Sequence, residues 1–189
     1  MEERNMKKVR LGLVGAGNIA RMSHLPAYAR IETVELVSVC DIDIEKARRT
    51  AEEYHIPSYY GSLEEMLRHE DIDAVDVCVW NSAHVPVCIE AARAGKHVMC
   101  EKPPATTAQA MEELKRVLEE AGVIYLLAVP NRFQSMNMYV KELCEKGEFG
   151  EIYYAKASYL RRRGTPCGWF TDREIAGRGG RDHDDCPRA

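Results

Sequence analysis

The chain has 189 residues, 46% hydrophobic and 30% charged, with 26 Lys and Arg against 30 Asp and Glu for a net charge of −4. That size and apolar content predict a packed core, with room for one full domain and a smaller second, and exclude a disordered chain. The acidic balance argues against a nucleic-acid partner; no apolar run approaches about 18 residues, and Met1-Glu2-Glu3-Arg4-Asn5 has no signal-peptide core, so we expect a soluble, cytoplasmic protein without membrane contact.

In chain order, the first predicted element is an apolar strand, Val9-Arg10-Leu11-Gly12-Leu13-Val14, running into Gly15-Ala16-Gly17-Asn18-Ile19-Ala20 at the start of a helix. Gly15 suits the tight turn, Gly17 lets the backbone approach a pyrophosphate, and Ala20 is small enough for close helix packing. The N–H groups and dipole of such a helix start favour phosphate. Pro26 is expected to bend or end this helix.

The second strand, Val34 to Cys40, ends at Asp41, 24 positions after Gly17 and near the roughly 20-residue spacing at which a carboxylate accepts from the adenosine ribose hydroxyls. A carboxylate there repels a 2′-phosphate and no Arg follows it directly, so NAD is expected over NADP, with Arg48 or Arg49 one turn later able to swing back. Read structurally, Asp41 is a helix N-cap.

A helix is expected over Ile44 to Tyr54, with Ala47, Ala51 and Tyr54 on one face. The capping box Ser62-Leu63-Glu64-Glu65 starts a short helix ending near Arg68. Then come a strand over Ala74 to Val79, a helix over Pro86 to Ala94 closed by Gly95, a short strand over His97 to Cys100, a long helix from Thr106-Thr107 to Ala121 stopped by Gly122, and a strand over Ile124 to Val129. This alternation implies a doubly wound parallel α/β sheet, whose ligands sit beyond the carboxyl ends of the strands. Residues 1–129 are therefore expected to form a Rossmann domain.

From Pro130 the texture changes: a helix over Asn137 to Lys146, stopped by Gly147, and a strand over Ile152 to Leu160 predict the start of a second α/β domain over residues 130–180. The seven cysteines are odd in number and form no C-x-x-C pair, so they read as reduced thiols, and no metal site is expected. Arg161-Arg162-Arg163 reads as a solvated basic cluster.

At two strand ends the chain runs into Trp80-Asn81-Ser82-Ala83-His84 and into Glu101-Lys102-Pro103-Pro104. Together with the glycine turn, His24-Leu25-Pro26-Ala27, Cys40-Asp41, Asn131-Arg132-Phe133, Gly147 to Ile152 and Gly168-Trp169-Phe170, these segments resemble the Gfo/Idh/MocA family of oxidoreductases in order and spacing. The resemblance implies NAD(P)-dependent hydride transfer at a hydroxyl-bearing carbon of a carbohydrate, polyol or cyclitol. It implies Lys102 as the catalytic residue, hydrogen-bonded to a substrate hydroxyl and helping to move its proton. Gly15, Gly17, Asn18, Ile19, Asp41, Asn81, His84, Glu101 and Lys102 fall at the cofactor-binding positions, and Arg132, Arg161 and Trp169 are weaker substrate candidates. Read without the resemblance, Lys102 is a surface lysine at a strand end, Asn81 or Ser82 caps a helix, and His84 is an exposed first-turn residue.

The family pattern departs after Gly180. Asp184 falls on the family's aspartate but Arg188 stands where its histidine belongs, so no catalytic role passes to His183. A frame shift would account for residues 181–189 as a non-family tail, since a reading one base later permits an apolar run and a histidine. On that view the chain is a truncated product that binds cofactor with impaired catalysis, and the full-length form is a homo-oligomer. The alternatives are a nucleotide-binding module without turnover and an NAD-dependent glycosidase-like member of the same family.

Overall fold

The computed structural model describes residues 7–158, 160 and 172–176. Six parallel strands form one sheet: β1 (Val9–Val14), β2 (Val34–Cys40), β3 (Ser58–Tyr60), β4 (Ala74–Val77), β5 (His97–Glu101) and β6 (Tyr125–Ala128), in the order β3-β2-β1-β4-β5-β6. The order reverses between β1 and β4, where Leu11 to Val14 lie in register with Ala74 to Val77. Rossmann-type crevices open at this reversal, outside the carboxyl ends of the strands. The expected doubly wound parallel sheet is what the chain forms.

Helices cover both faces. Leu13 and Val39 are fully buried on the face shared with Ala16, Ala20, Leu25, Ala51 and Ile56, whereas Val14, Val75, Val77 and Val98 pack on the other with Met66, Cys88, Ile89, Leu114 and Val117. Strands buried on both faces need near-continuous apolar sequence, which Leu-Val and Val-Cys runs provide. Each such side chain withdrawn from water contributes about 1.5–3 kcal/mol.

Local signals set several helix ends. α2 (Ile44–Tyr54) begins where Asp43 Oδ1 accepts the Lys46 N–H at 3.1 Å, and α3 (Leu63–His69) where Ser62 Oγ accepts the Glu65 N–H at 3.2 Å. Glu65 Oε2 in turn accepts the Gly61 N–H, completing a reciprocal cap. α5 (Ala108–Ala121) starts on the Thr107 hydroxyl and ends at Gly122, whose φ of 64° is left-handed. Asp43, rather than Asp41, is the N-cap of α2.

Other boundaries differ from expectation. The helix after the glycine turn passes through a widened turn, Ala20–His24, in which the Leu25 N–H bonds to the Ala20 carbonyl, and continues as α1 (Leu25–Tyr28). Pro26 lies just past the widening and does not end the helix; such widened turns accommodate a proline that cannot donate. β4 stops at Val77, two residues early, and a 3₁₀ turn over Asn81–Ala83 leads into α4 (His84–Arg93), which begins before Pro86. β3 is additional, its three residues paired with Ser38 to Cys40.

Beyond β6 a 3₁₀ turn, Pro130–Phe133, leads into α6 (Ser135–Glu145), none of whose residues is buried. The strand expected over Ile152 to Leu160 is not formed among its described residues, which are irregular and exposed, Tyr153 at 95% and Leu160 at 94%. A strand exists only through its ladder partner, and these residues pair with no other described strand. The four-residue α7 (Arg173–Ala176) returns to the turn at Asn81.

Gly12, inside β1, is held to glycine by packing: an added Cβ would stand 2.8 Å from Met66 Cε and 3.1 Å from Ile72 Cδ1. Because the nearest atoms end a flexible methionine, Gly12→Ala is expected to cost about 1–3 kcal/mol in urea unfolding without abolishing the fold.

Candidate functional site

The sheet brings the predicted turn and strand ends into one crevice. The Gly15 N–H bonds to the Cys40 carbonyl at 2.8 Å, and the Cys78 N–H to the Val14 carbonyl at 2.7 Å, so the turn sits directly on the ends of β2 and β4. Gly15 has φ 94°, and a Cβ there would lie 2.5 Å from the Cys78 carbonyl oxygen. Gly17 is the opposite case: its Cβ would meet nothing within 4 Å. Packing within the chain thus requires the first glycine but not the second, whose bareness matters only to something approaching the turn from outside. Asn18 and Ile19 are exposed beside it, and Ala20 is fully buried against the core.

A cavity of about 580 Å³ opens in front of this turn, bordered by Gly17, Asn18, Arg21, Lys46, Arg49 and Trp80. Three cations and one carboxylate border it: Arg21 pairs with Glu53 at 2.5 Å and Lys46 with Asp41, so the balance remains positive, the sign that suits a diphosphate, and Trp80, 44% exposed, offers an aromatic face. Sequence reading gave no role to Arg21, Lys46 or Trp80, because residues from different elements converge only in the fold. A second hollow of about 450 Å³, around Val85, Ile89, Arg93 and Glu113, lies between α4 and α5 away from the strand ends.

Asp41 is buried and anchors the turn. Its Oδ2 accepts the Ala16 N–H at 2.9 Å and pairs with Lys46 Nζ at 2.6 Å, and its Oδ1 accepts the Asp43 N–H at 3.0 Å. The carboxylate thus shapes the glycine turn, and the Lys46 ammonium beside it offsets part of the repulsion that Asp41 alone would offer a phosphate.

Across the crevice, β5 ends in Glu101, followed by Lys102 and a cis Lys102–Pro103 bond. Lys102 is exposed, whereas Glu101 is buried with both oxygens engaged, Oε1 to His24 Nε2 at 3.0 Å and Oε2 to the Lys102 N–H at 3.1 Å. His24 Nδ1 in turn meets Asp76 Oδ2 at 2.6 Å. Asp76 is fully buried and also accepts the Tyr28 hydroxyl at 2.7 Å and the Cys78 thiol at 3.7 Å. Burial opposes a charge on His24, but its hydrogen bonds to Asp76 and Glu101, with the Cys78 sulfur close by, outweigh it and raise the imidazole from 6.5 to about 12. Glu101 moves the other way: burial pushes it up, yet His24 and Lys102 hold it below the ordinary glutamate value. Burial raises Cys78 to about 12. His24, Asp76 and Cys78 carry ligand-type atoms within 4.8 Å of one another, and both His24 and the Cys78 thiol are hydrogen-bonded to Asp76.

His84, Asn81 and Arg132 are placed as follows. His84 is 1% exposed, with Nδ1 2.6 Å from the Pro103 carbonyl and Nε2 3.1 Å from that of Val79; it braces the two strand-end loops from beneath instead of facing the crevice or solvent. Burial opposes its charge, while Cys100 and the two carbonyls raise its pKa. Asn81 sits at the crevice edge but donates its side-chain N–H to the Ala176 carbonyl at 3.0 Å. Arg132 is exposed on the turn after β6. Arg161, Trp169 and residues 181–189 lie outside the described residues.

A six-stranded parallel sheet with its order reversed at β1/β4, a glycine turn at that reversal and an acid ending the next strand define a dinucleotide-binding Rossmann domain. Residues 9–129 match the model of the Gfo/Idh/MocA oxidoreductases, described as an oxidoreductase family with an NAD-binding Rossmann fold, and the chain belongs to that family. It is 36% identical over 173 residues to D-glucoside 3-dehydrogenase of Escherichia coli (strain K12), a match spanning 90% of this chain and 49% of that protein. Among solved structures, the WlbA dehydrogenase from Bordetella pertussis, in complex with NADH and UDP-GlcNAcA, superposes with a TM-score of 0.74 at 34% identity, covering 78% of this chain and 42% of the other. A variant 3-ketoreductase from Actinomadura kijaniata, in complex with TDP-benzene and NADP, gives 0.70 at 28% identity over 77% of this chain and 45% of the other. The chain spans about half the length of the curated relatives it matches. Among the described residues, no helix is long and apolar enough to cross a membrane.

Proposed function

We propose that the crevice at the β1/β4 reversal binds a nicotinamide dinucleotide and that the protein is a dehydrogenase of a carbohydrate, polyol or cyclitol hydroxyl. The observation that carries this reading is the contrast between the two glycines: Gly15 is demanded by the chain's own packing, Gly17 is not, and Gly17 faces the cationic cavity. The residues fit the coenzyme. The N–H groups at the helix start, with Arg21, hold the diphosphate; Asp41 Oδ1, with lone pairs beyond its bond to Asp43, accepts from the adenosine ribose; Trp80 flanks the cavity.

NAD is the coenzyme we favour, since Asp41 is buried at the ribose position and a 2′-phosphate would have to share it. When bound, the coenzyme supplies the hydride acceptor. The chain's own part is to orient the ligand and to handle the proton: Lys102, exposed at the end of β5 with three rotatable N–H donors, is the group placed to bind a substrate hydroxyl and take part in moving its proton. The substrate class rests on the relatives, which include a glucoside dehydrogenase and a scyllo-inositol dehydrogenase.

Titration of NADH fluorescence tests the glycine turn. Because a Cβ at position 17 meets nothing within 4 Å and the cavity opens in front of it, Gly17→Trp is expected to leave the unfolding midpoint nearly unchanged while lowering NADH affinity about a hundredfold or more. Equal binding by wild type and variant would defeat the dinucleotide reading.

A further inference from the structure

His24 belongs to the helix that follows the glycine turn, whereas Glu101 and Lys102 belong to the far end of β5; nothing in the sequence couples them. In the fold they form an unbroken line of hydrogen bonds: Asp76 Oδ2 to His24 Nδ1 at 2.6 Å, His24 Nε2 to Glu101 Oε1 at 3.0 Å, and Glu101 Oε2 to the Lys102 N–H at 3.1 Å. Both nitrogens of the ring face carboxylate oxygens, so the arrangement is satisfied by an imidazolium donating twice. Three ionisable groups are costly to gather behind a strand end, and well-packed apolar residues of similar volume serve stability as well or better. Packing alone therefore does not account for them.

We propose that His24 is a positioning residue for Lys102: it ties the helix that cradles the diphosphate to the Glu101–Lys102 backbone and so fixes the offset between the two ends of the coenzyme crevice. The argument is geometric. Glu101 presents one oxygen to His24 and the other to the backbone N–H of Lys102, so the direction in which the lysine leaves β5 follows the carboxylate, and the carboxylate follows the ring. The ring is held by Asp76, which Tyr28 and Cys78 also contact. The charged and titratable groups facing His24 are thus Asp76, Glu101, Cys78 and Tyr28, the last packed edge-on at a ring separation of 6.3 Å. An offset error of about an ångström is enough to lose catalytic alignment by about a hundredfold.

The proposal rests on the coenzyme reading above, and two ligands separate them: NADH, which spans the crevice, and ADP-ribose, which lacks the nicotinamide ring. Calorimetric titration of the wild-type chain, His24→Gln, Glu101→Gln and the double variant is expected to show NADH affinity about tenfold lower in each single variant and no lower in the double, with ADP-ribose affinity within about twofold of wild type throughout. The Lys102 amide resonance should move in both single variants while that of Gly122, at the far end of α5, stays put. Loss of both ligands in equal measure, loss of neither, or additive losses in the double variant would overturn the positioning role. A wild-type chain binding neither ligand would overturn the coenzyme reading and this proposal with it. Should His24→Gln not fold, Glu101→Gln carries the comparison alone. The ring nitrogens of wild-type His24 are read directly by NMR, where an imidazolium persisting at about pH 8 is expected and a neutral ring would end the proposal.

Discussion

Gly15→Ala is expected to destabilise the protein by roughly 2–5 kcal/mol, measured by urea unfolding, and to abolish NADH binding even where the protein remains folded. Two costs combine. At φ 94° any side chain forces the backbone into a region that only glycine occupies without strain. The new Cβ would also stand 2.5 Å from the Cys78 carbonyl oxygen and 2.8 Å from its carbon, a backbone contact with no flexible end to swing away. Relief requires the turn to lift off β4, which breaks the Gly15 N–H bond to Cys40 and the Ala16 N–H bond to Asp41. The effect should exceed that of Gly12→Ala, where a methionine yields, and should contrast with Gly17→Trp, where binding falls and stability does not. Gly15→Ala with wild-type stability would show that the turn is not packed as described.

Asp76→Ala is expected to cost about 3–5 kcal/mol, because it leaves a buried imidazolium without its closest partner and strands the Tyr28 hydroxyl. Its pH dependence has a definite sign. His24 is raised from 6.5 to about 12, so the stability it contributes is fully present below its ordinary value and declines as pH rises from there toward 12. Glu101 is depressed, so its contribution is present above the ordinary value of 4.5 and is lost as pH falls through its lower folded value. The network therefore stabilises most between about pH 4.5 and 6.5. Wild-type stability should fall between about pH 6.5 and 8, below the range in which the cysteines and tyrosines of the unfolded chain titrate, and Asp76→Ala should flatten that slope. Parallel slopes in the two proteins would show that His24 is not held charged by Asp76.

Where structure depends on near neighbours, the sequence was readable. α2 runs over Ile44–Tyr54 as its periodicity implies, because Asp43 caps one end and the apolar face ends with Tyr54; the Ser62 box and Gly122 likewise act on the backbone within a turn of themselves. The doubly wound parallel sheet followed from strand–helix alternation, which admits few chiralities, and the glycine turn from its own residues, whereas the strand order came only with the fold. β3 went unread because three residues carry too little pattern, and it is a strand only because Ser38 to Cys40 lie beside it. Ile152 to Leu160 has the composition of a strand, but composition supplies no partner for its N–H and C=O groups.

The amino-acid sequence by itself determined the class of the domain, its glycine turn and its family, since these rest on spacings of a few residues and on the order of short motifs. Only the tertiary structure decided what the titratable side chains do. It took His84 out of the crevice and set it between two carbonyls, turned Asp41 onto the turn that precedes it by 25 residues, and joined His24 to Asp76 and Glu101 across 52 and 77 residues of chain. Such pairings are made by sheet register, which brings distant strand ends within hydrogen-bond reach, and no local pattern along the chain records them.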